Sequence, residues 1–140
     1  MNIDNCFKEV ILTEPQLKDL CKEWRNILRL NQWFINVRLC KQKCFINDNC
    51  DGEVEKVLAS SKATIKILAS EDYKDNYPQD MEKILVHELL HLAFDTFEPN
   101  GELKYALMEG VIERLAIVLV DLKRGNSPNL LSSNGEYLTS

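Results

Sequence analysis

Apolar positions along the chain follow two rhythms. Leu17, Leu20, Cys21, Trp24, Ile27 and Leu28 recur at the spacing that lines one face of a helix. Thr13-Glu14-Pro15 precedes them, with Thr13 as N-cap and Pro15 in the first turn, where its missing N–H costs nothing. Asn31 is the expected stop. The rhythm then shortens to two. Trp33, Ile35, Val37 and Leu39 alternate with Phe34, Asn36, Arg38 and Cys40, and Ala63, Ile65, Ile67 and Ala69 alternate with Thr64, Lys66 and Leu68. Val54, Lys56 and Leu58 against Glu55 and Val57 predict a further strand between them, after a turn at 47–52. Short connections point to antiparallel neighbours. The polar stretch 72–80 reads as a loop. The helical spacing returns from about Gln79 to Thr96 and, past the Pro99-Asn100-Gly101 turn, from Glu102 to Lys123.

The order α-β-β-β-α-α predicts an α+β domain over 1–125, with 126–140 as a flexible tail. A chain of 140 residues suits one domain with its own core. A net charge of -5 argues against a protein built to grip nucleic acid, which needs clustered Lys and Arg. The N-terminus has no basic and apolar leader pattern, and the longest apolar run, Leu115 to Val120, is far too short for a bilayer. Cys6, Cys21, Cys40, Cys44 and Cys50 are an odd set, read as reduced thiols. The expectation is a cytoplasmic protein with no membrane and no nucleic-acid partner. Cys40, Cys44 and Cys50 lack the paired spacing of a zinc ribbon.

One segment carries chemistry. His87-Glu88-Leu89-Leu90-His91 places two imidazoles four residues apart, on one face of a helix, where both can reach one zinc ion. Glu88 sits beside them as a general base for water. The chain has only two histidines, so shuffling would produce this motif in roughly one sequence in 800. His87, His91, Ile84, Asp95 and Glu88 share one side of the predicted helix, and Leu85, Leu89 and Leu92 the other.

A catalytic zinc needs a third protein ligand. Phe97 stands where an extended histidine motif would place another His, so an acid is expected among Asp95, Glu98, Glu102, Glu109 and Glu113. On the last helix, Ala116 and Val120 fall within about 20° of Glu109, Glu113 at about 40°, and Ala106 and Ile112 at about 60°. Carboxylates in an apolar arc are costly without a cation. An antiparallel pair of helices also sets His91 and Glu109 level within about one turn. Glu109 is therefore the preferred ligand. Asp95, four residues after His91, is the competitor, or else an acceptor that orients His91.

With Glu109-Gly110-Val111-Ile112-Glu113 following the motif, the chain resembles the gluzincin branch of the zincin metallopeptidases. The resemblance implies Glu109 as ligand and Glu113 as the acid that holds a ligating His. The chain departs in carrying Glu113 where that family usually has Asp. From Trp33 to Leu122 it also resembles small zincin-like proteins of phages and prophages, through Gly52-Glu53-Val54-Glu55, Ala63-Thr64-Ile65-Lys66-Ile67 and the helix from Glu109 to Ala116.

The function expected is a zinc-dependent peptidase acting on a peptide or protein. Its substrate would pair along the strand Ala63 to Ala69. The alternative is a zincin-like binding or regulatory protein without turnover. Leu107, Val118 and Leu122 lie off the metal arc and offer a face for self-association. Tyr73, Tyr77 and Tyr105 are candidates to stabilise an oxyanion, and Trp24 and Trp33 are expected in the core.

Overall fold

The computed structural model describes residues 8–47, 49–95 and 100–125. Cys6, Thr96, Phe97, Glu98, Pro99 and the stretch 126–140 lie outside them. Helix α1 spans Glu14–Ile27. Thr13 and Gln16 cap it reciprocally: Thr13 N–H donates to Gln16 Oε1 at 2.8 Å, and Gln16 N–H to Thr13 Oγ1 at 3.3 Å. The helix ends before the expected Asn31. Arg29 turns left-handed at φ 59°, and Leu30 N–H closes back on Arg25 O at 2.9 Å. That bend drops Leu30 and Trp33 into the core.

Strands β1 (Phe34–Cys40), β2 (Gly52–Val57) and β3 (Lys62–Leu68) form one sheet in the order β1-β3-β2. The pairing corrects two expectations. First, β1 runs parallel to β3, with Val37 opposite Ile65; β2 alone is antiparallel to it. Second, β3 is the central strand, so the stretch from Ala63 has no free edge for a peptide. The reason is burial. Ala63, Ile65, Lys66, Ile67 and Leu68 are all buried, on both faces of the strand, and such a strand is stable only with a neighbour on each side. The connection 41–51 is long enough to carry the chain past it. Leu58 leaves the sheet for a short 3-10 turn at Leu58–Ser60.

Helix α2 (Met81–Ala93) is capped by Asp80, whose side chain accepts from Lys83 N–H. Gln79 lies before the helix, buried, its Nε2 donating to Leu68 O at 2.8 Å. Helix α3 spans Glu102–Lys123, and Gly101 enters it at φ 89°. One core joins Leu17 and Trp24 of α1, Ile65 and Ile67 of β3, Leu85 and Leu89 of α2, and Ile112 and Val120 of α3. Each such fully buried side chain contributes roughly 1.5–3 kcal/mol. Trp33 also belongs to this core. Among the described residues the architecture is α+β, with three α-helices and a small mixed sheet. Among the described residues, no helix is long and apolar enough to cross a membrane.

Candidate metal centre

The two faces of α2 do different work. Leu85, Leu89 and Leu92 are buried in the core. The opposite side carries His87 and His91, half-buried, with ring centroids 5.2 Å apart. α3 lies alongside and runs the other way, since its end meets the start of α2: Arg124 holds Asp80, and Lys123 holds Glu82. That direction brings Glu109 level with His91, as helix spacing required.

Glu109 Oε1 lies 2.5 Å from His91 Nε2, and its Oε2 lies 3.4 Å from His87 Nε2. Ligand atoms of His87, His91 and Glu109 all fall within 4.8 Å of one another. Apart from that contact, Glu109 Oε1 is buried with no hydrogen-bond partner. A buried carboxylate oxygen with only one imidazole beside it is costly unless a cation meets it. Two imidazole nitrogens and one carboxylate oxygen are a donor set suited to zinc, with a fourth position left for water or substrate. The residues present fit the metal.

Glu113 hydrogen-bonds the other ring nitrogen of His87, Nδ1, at 2.7 Å. A contact of this kind would fix the ring of a metal-ligating imidazole and raise its basicity. Glu113 is nonetheless 59% exposed, and Ala106 is exposed too, so the apolar arc is narrower than the helical wheel implied. Ile112, Ala116 and Val120 are its buried part. Asp95 is placed elsewhere. Its carboxylate pairs with Lys56 Nζ of β2, and it stands outside the His87-His91-Glu109 group.

The charges interlock. Burial pulls the His87 imidazole down, but Glu113, Glu88 and Glu109 outweigh it and carry it to about 9. Burial lowers His91, which Glu109 opposes. Glu88 is buried, and desolvation pushes its carboxyl up to about 7, against the pull of His87. A carboxyl near neutrality can both take and return a proton.

Gly52 explains how Glu88 is covered. A Cβ at that position would meet Ile84 Cγ2 at 2.6 Å and Glu88 Oε2 at 3.0 Å. Only a glycine lets the first residue of β2 approach α2 so closely. Sequence spacing alone did not reveal this contact, nor the ion pair of Lys56 with Asp95, because both partners are distant along the chain. The tyrosines are scattered: Tyr77 and Tyr105 are exposed, and Tyr73 is half-buried. Cys21, Cys40, Cys44 and Cys50 are free thiols.

No family model, curated protein or solved structure matches the chain.

Proposed function

We propose that the chain is a zinc metallopeptidase with a minimal zincin-like domain, its metal held in the gluzincin manner by His87, His91 and Glu109. One observation carries this reading. A carboxylate from a separate helix reaches both imidazoles of the motif, and its buried Oε1 has no neighbour but His91 Nε2 to match its charge. When bound, zinc supplies Lewis acidity, polarising a peptide carbonyl and acidifying water. Glu88 takes the proton of the attacking water and passes it to the departing amine. Glu113 accepts from Nδ1 of His87 and so turns Nε2 toward Glu109. The peptide pairs with β2, an edge strand that follows α2 from Glu88, beside Gly52, to Asp95, held by Lys56. Free thiols at four described positions suit a reducing, cytoplasmic setting.

A second reading has its own support. Leu103, Leu107, Val118 and Leu122 leave an apolar stretch of α3 exposed, which favours a self-associating or regulatory protein that keeps the metal without turnover.

Metal analysis of the purified protein with a general protein-cleavage screen tests both. The expected result is about one zinc per chain, cleavage of some substrate, and a Glu88→Gln variant that keeps zinc and loses cleavage by about 10²-fold or more. A metal-free protein rejects the centre. Unchanged cleavage in Glu88→Gln rejects the mechanism.

A further inference from the structure

A cavity of about 520 Å³ lies between the loop 73–78, the start of β2 and the facing sides of α2 and α3. It borders the candidate centre at two points. Glu113, which holds His87, is part of its wall. So is Asp51, the residue before the Gly52 that packs on Glu88.

The wall has two parts. Ile84 and Ile117 give an apolar flank. Asp51, Asp75 and Tyr73 give a polar one, close enough that Asp75 and Asp51 both act on the Tyr73 phenol. Several bordering charges are already matched. Asp80 is held by Arg124, Asp121 by Lys83 at 3.3 Å, and Glu113 by His87. Asp51 and Asp75 have no ion pair among the described residues. Lys8 also borders the cavity, so the unmatched charge is two carboxylates against one exposed ammonium. Burial pushes the Asp51 carboxyl up, and Asp75 adds to the rise. A cation placed between them would relieve both effects.

We propose that this cavity is the specificity pocket of the peptidase, and that it takes the side chain of a lysine or arginine in the substrate. The aliphatic stem would lie along Ile84 and Ile117, and the cationic head would meet Asp51 and Asp75 beside the Tyr73 ring. The peptide bond next to that residue would then cross the His87-His91-Glu109 group. The inference rests on the peptidase reading and deepens it by naming the substrate class.

The test uses the full-length, zinc-loaded Glu88→Gln protein, so that peptides bind without being consumed. Blocked alanine pentapeptides carry Lys, Arg, norleucine or Glu at the centre, and binding is measured by calorimetry at two salt concentrations. The Lys and Arg peptides should bind at least about tenfold more tightly than the norleucine peptide, which has a similar stem and no charge. That preference should shrink as salt rises. Adding Asp51→Asn and Asp75→Asn, which preserve shape, should abolish the preference and leave one zinc per chain. Equal binding of the norleucine or Glu peptide, no peptide binding, or a preference that survives the double substitution would each overturn the pocket. If zinc is bound and substrate cleaved without charge preference, the pocket alone has failed. If the unsubstituted protein binds no zinc, the metal centre has failed as well.

Discussion

The two ends of the α2–α3 pair hold similar side chains with opposite outcomes. At one end, Asp80 and Glu82 face Lys123 and Arg124. Arg124 grips Asp80 with two bonds of 2.7 and 2.9 Å, and Glu82 accepts from Trp24 Nε1 at 2.7 Å and from Lys123 at 3.0 Å. Two acids meet two permanent cations, and an indole N–H satisfies a remaining lone pair. At the other end, Glu88, Glu109 and Glu113 crowd two imidazoles, and the buried Glu109 Oε1 meets only His91 Nε2. The first cluster is complete without help and acts as a clasp. The second carries more negative charge than its own residues neutralise. That imbalance, rather than the mere presence of acids, separates a site from a brace.

The sharpest way to break the comparison is to remove both imidazoles. In the double variant His87→Ala, His91→Ala, zinc should fall from about one per chain to none by atomic absorption, since two of three ligands are gone. Any rise in melting temperature on adding zinc should vanish with it. Arg124→Ala should leave zinc stoichiometry intact. Retention of metal in the histidine variant would place the ion elsewhere.

Glu82→Ala probes the clasp. It leaves the buried Trp24 N–H without its acceptor and takes one of two acids from Lys123 and Arg124, which keep Glu23 and Asp80; the loss should be about 1–3 kcal/mol in denaturant unfolding. A loss under about 1 kcal/mol would mean that the cluster is solvated like a surface pair.

A finer contrast lies around the metal. Glu113→Ala should weaken zinc binding roughly 10- to 100-fold, because His87 loses its orienting acceptor. Asp95→Ala should weaken it less, since Asp95 is spent on Lys56 rather than on an imidazole. A competitive chelator titration ranks the two, and the reverse order would reassign the outer partner.

The smallest effect is in pH. Burial pushes the Glu82 carboxyl up, but Trp24, Lys123 and Arg124 outweigh it and hold it below its ordinary value. A depressed carboxyl stabilises the fold above its unfolded value of roughly 4.3. It loses that contribution as pH falls through the lower, folded value. Melting temperature should therefore drop on acidification in this window, and Glu82→Gln should flatten the drop.

Local signals served well where the cause was local. Thr13 with Pro15 announced the start of α1, and Gly101 and Arg124 bracket α3 as the spacing required. The helical repeat sufficed to put His87, Glu88 and His91 on one helix, and that repeat with the turn signal in the sequence Pro99-Asn100-Gly101 sufficed to set Glu109 level with His91. What escaped was set by distant parts of the chain. Nothing near Asp95 advertises Lys56, and nothing near Glu88 advertises Gly52. The sheet order escaped because alternation tells which face of a strand is buried, not which strand lies beside it. The nearly continuous apolar run Ile65, Ile67, Leu68 and Ala69, broken only by Lys66, was the available hint that β3 sits in the middle.

That strand order also constrains how the chain folds. β2 and β3 are separated only by Leu58 to Ser61 and can close as a hairpin within microseconds. β1 pairs with β3 across more than twenty intervening residues, a closure that is entropically slower. α1 shortens the delay by travelling with β1: Glu14 accepts from Leu39 N–H at 2.8 Å, and Lys18 donates to Val37 O at 3.0 Å. The expected route is a hairpin that forms first and then receives α1 and β1 together, so that substitutions at Glu14 slow folding while those in the metal centre leave its rate alone.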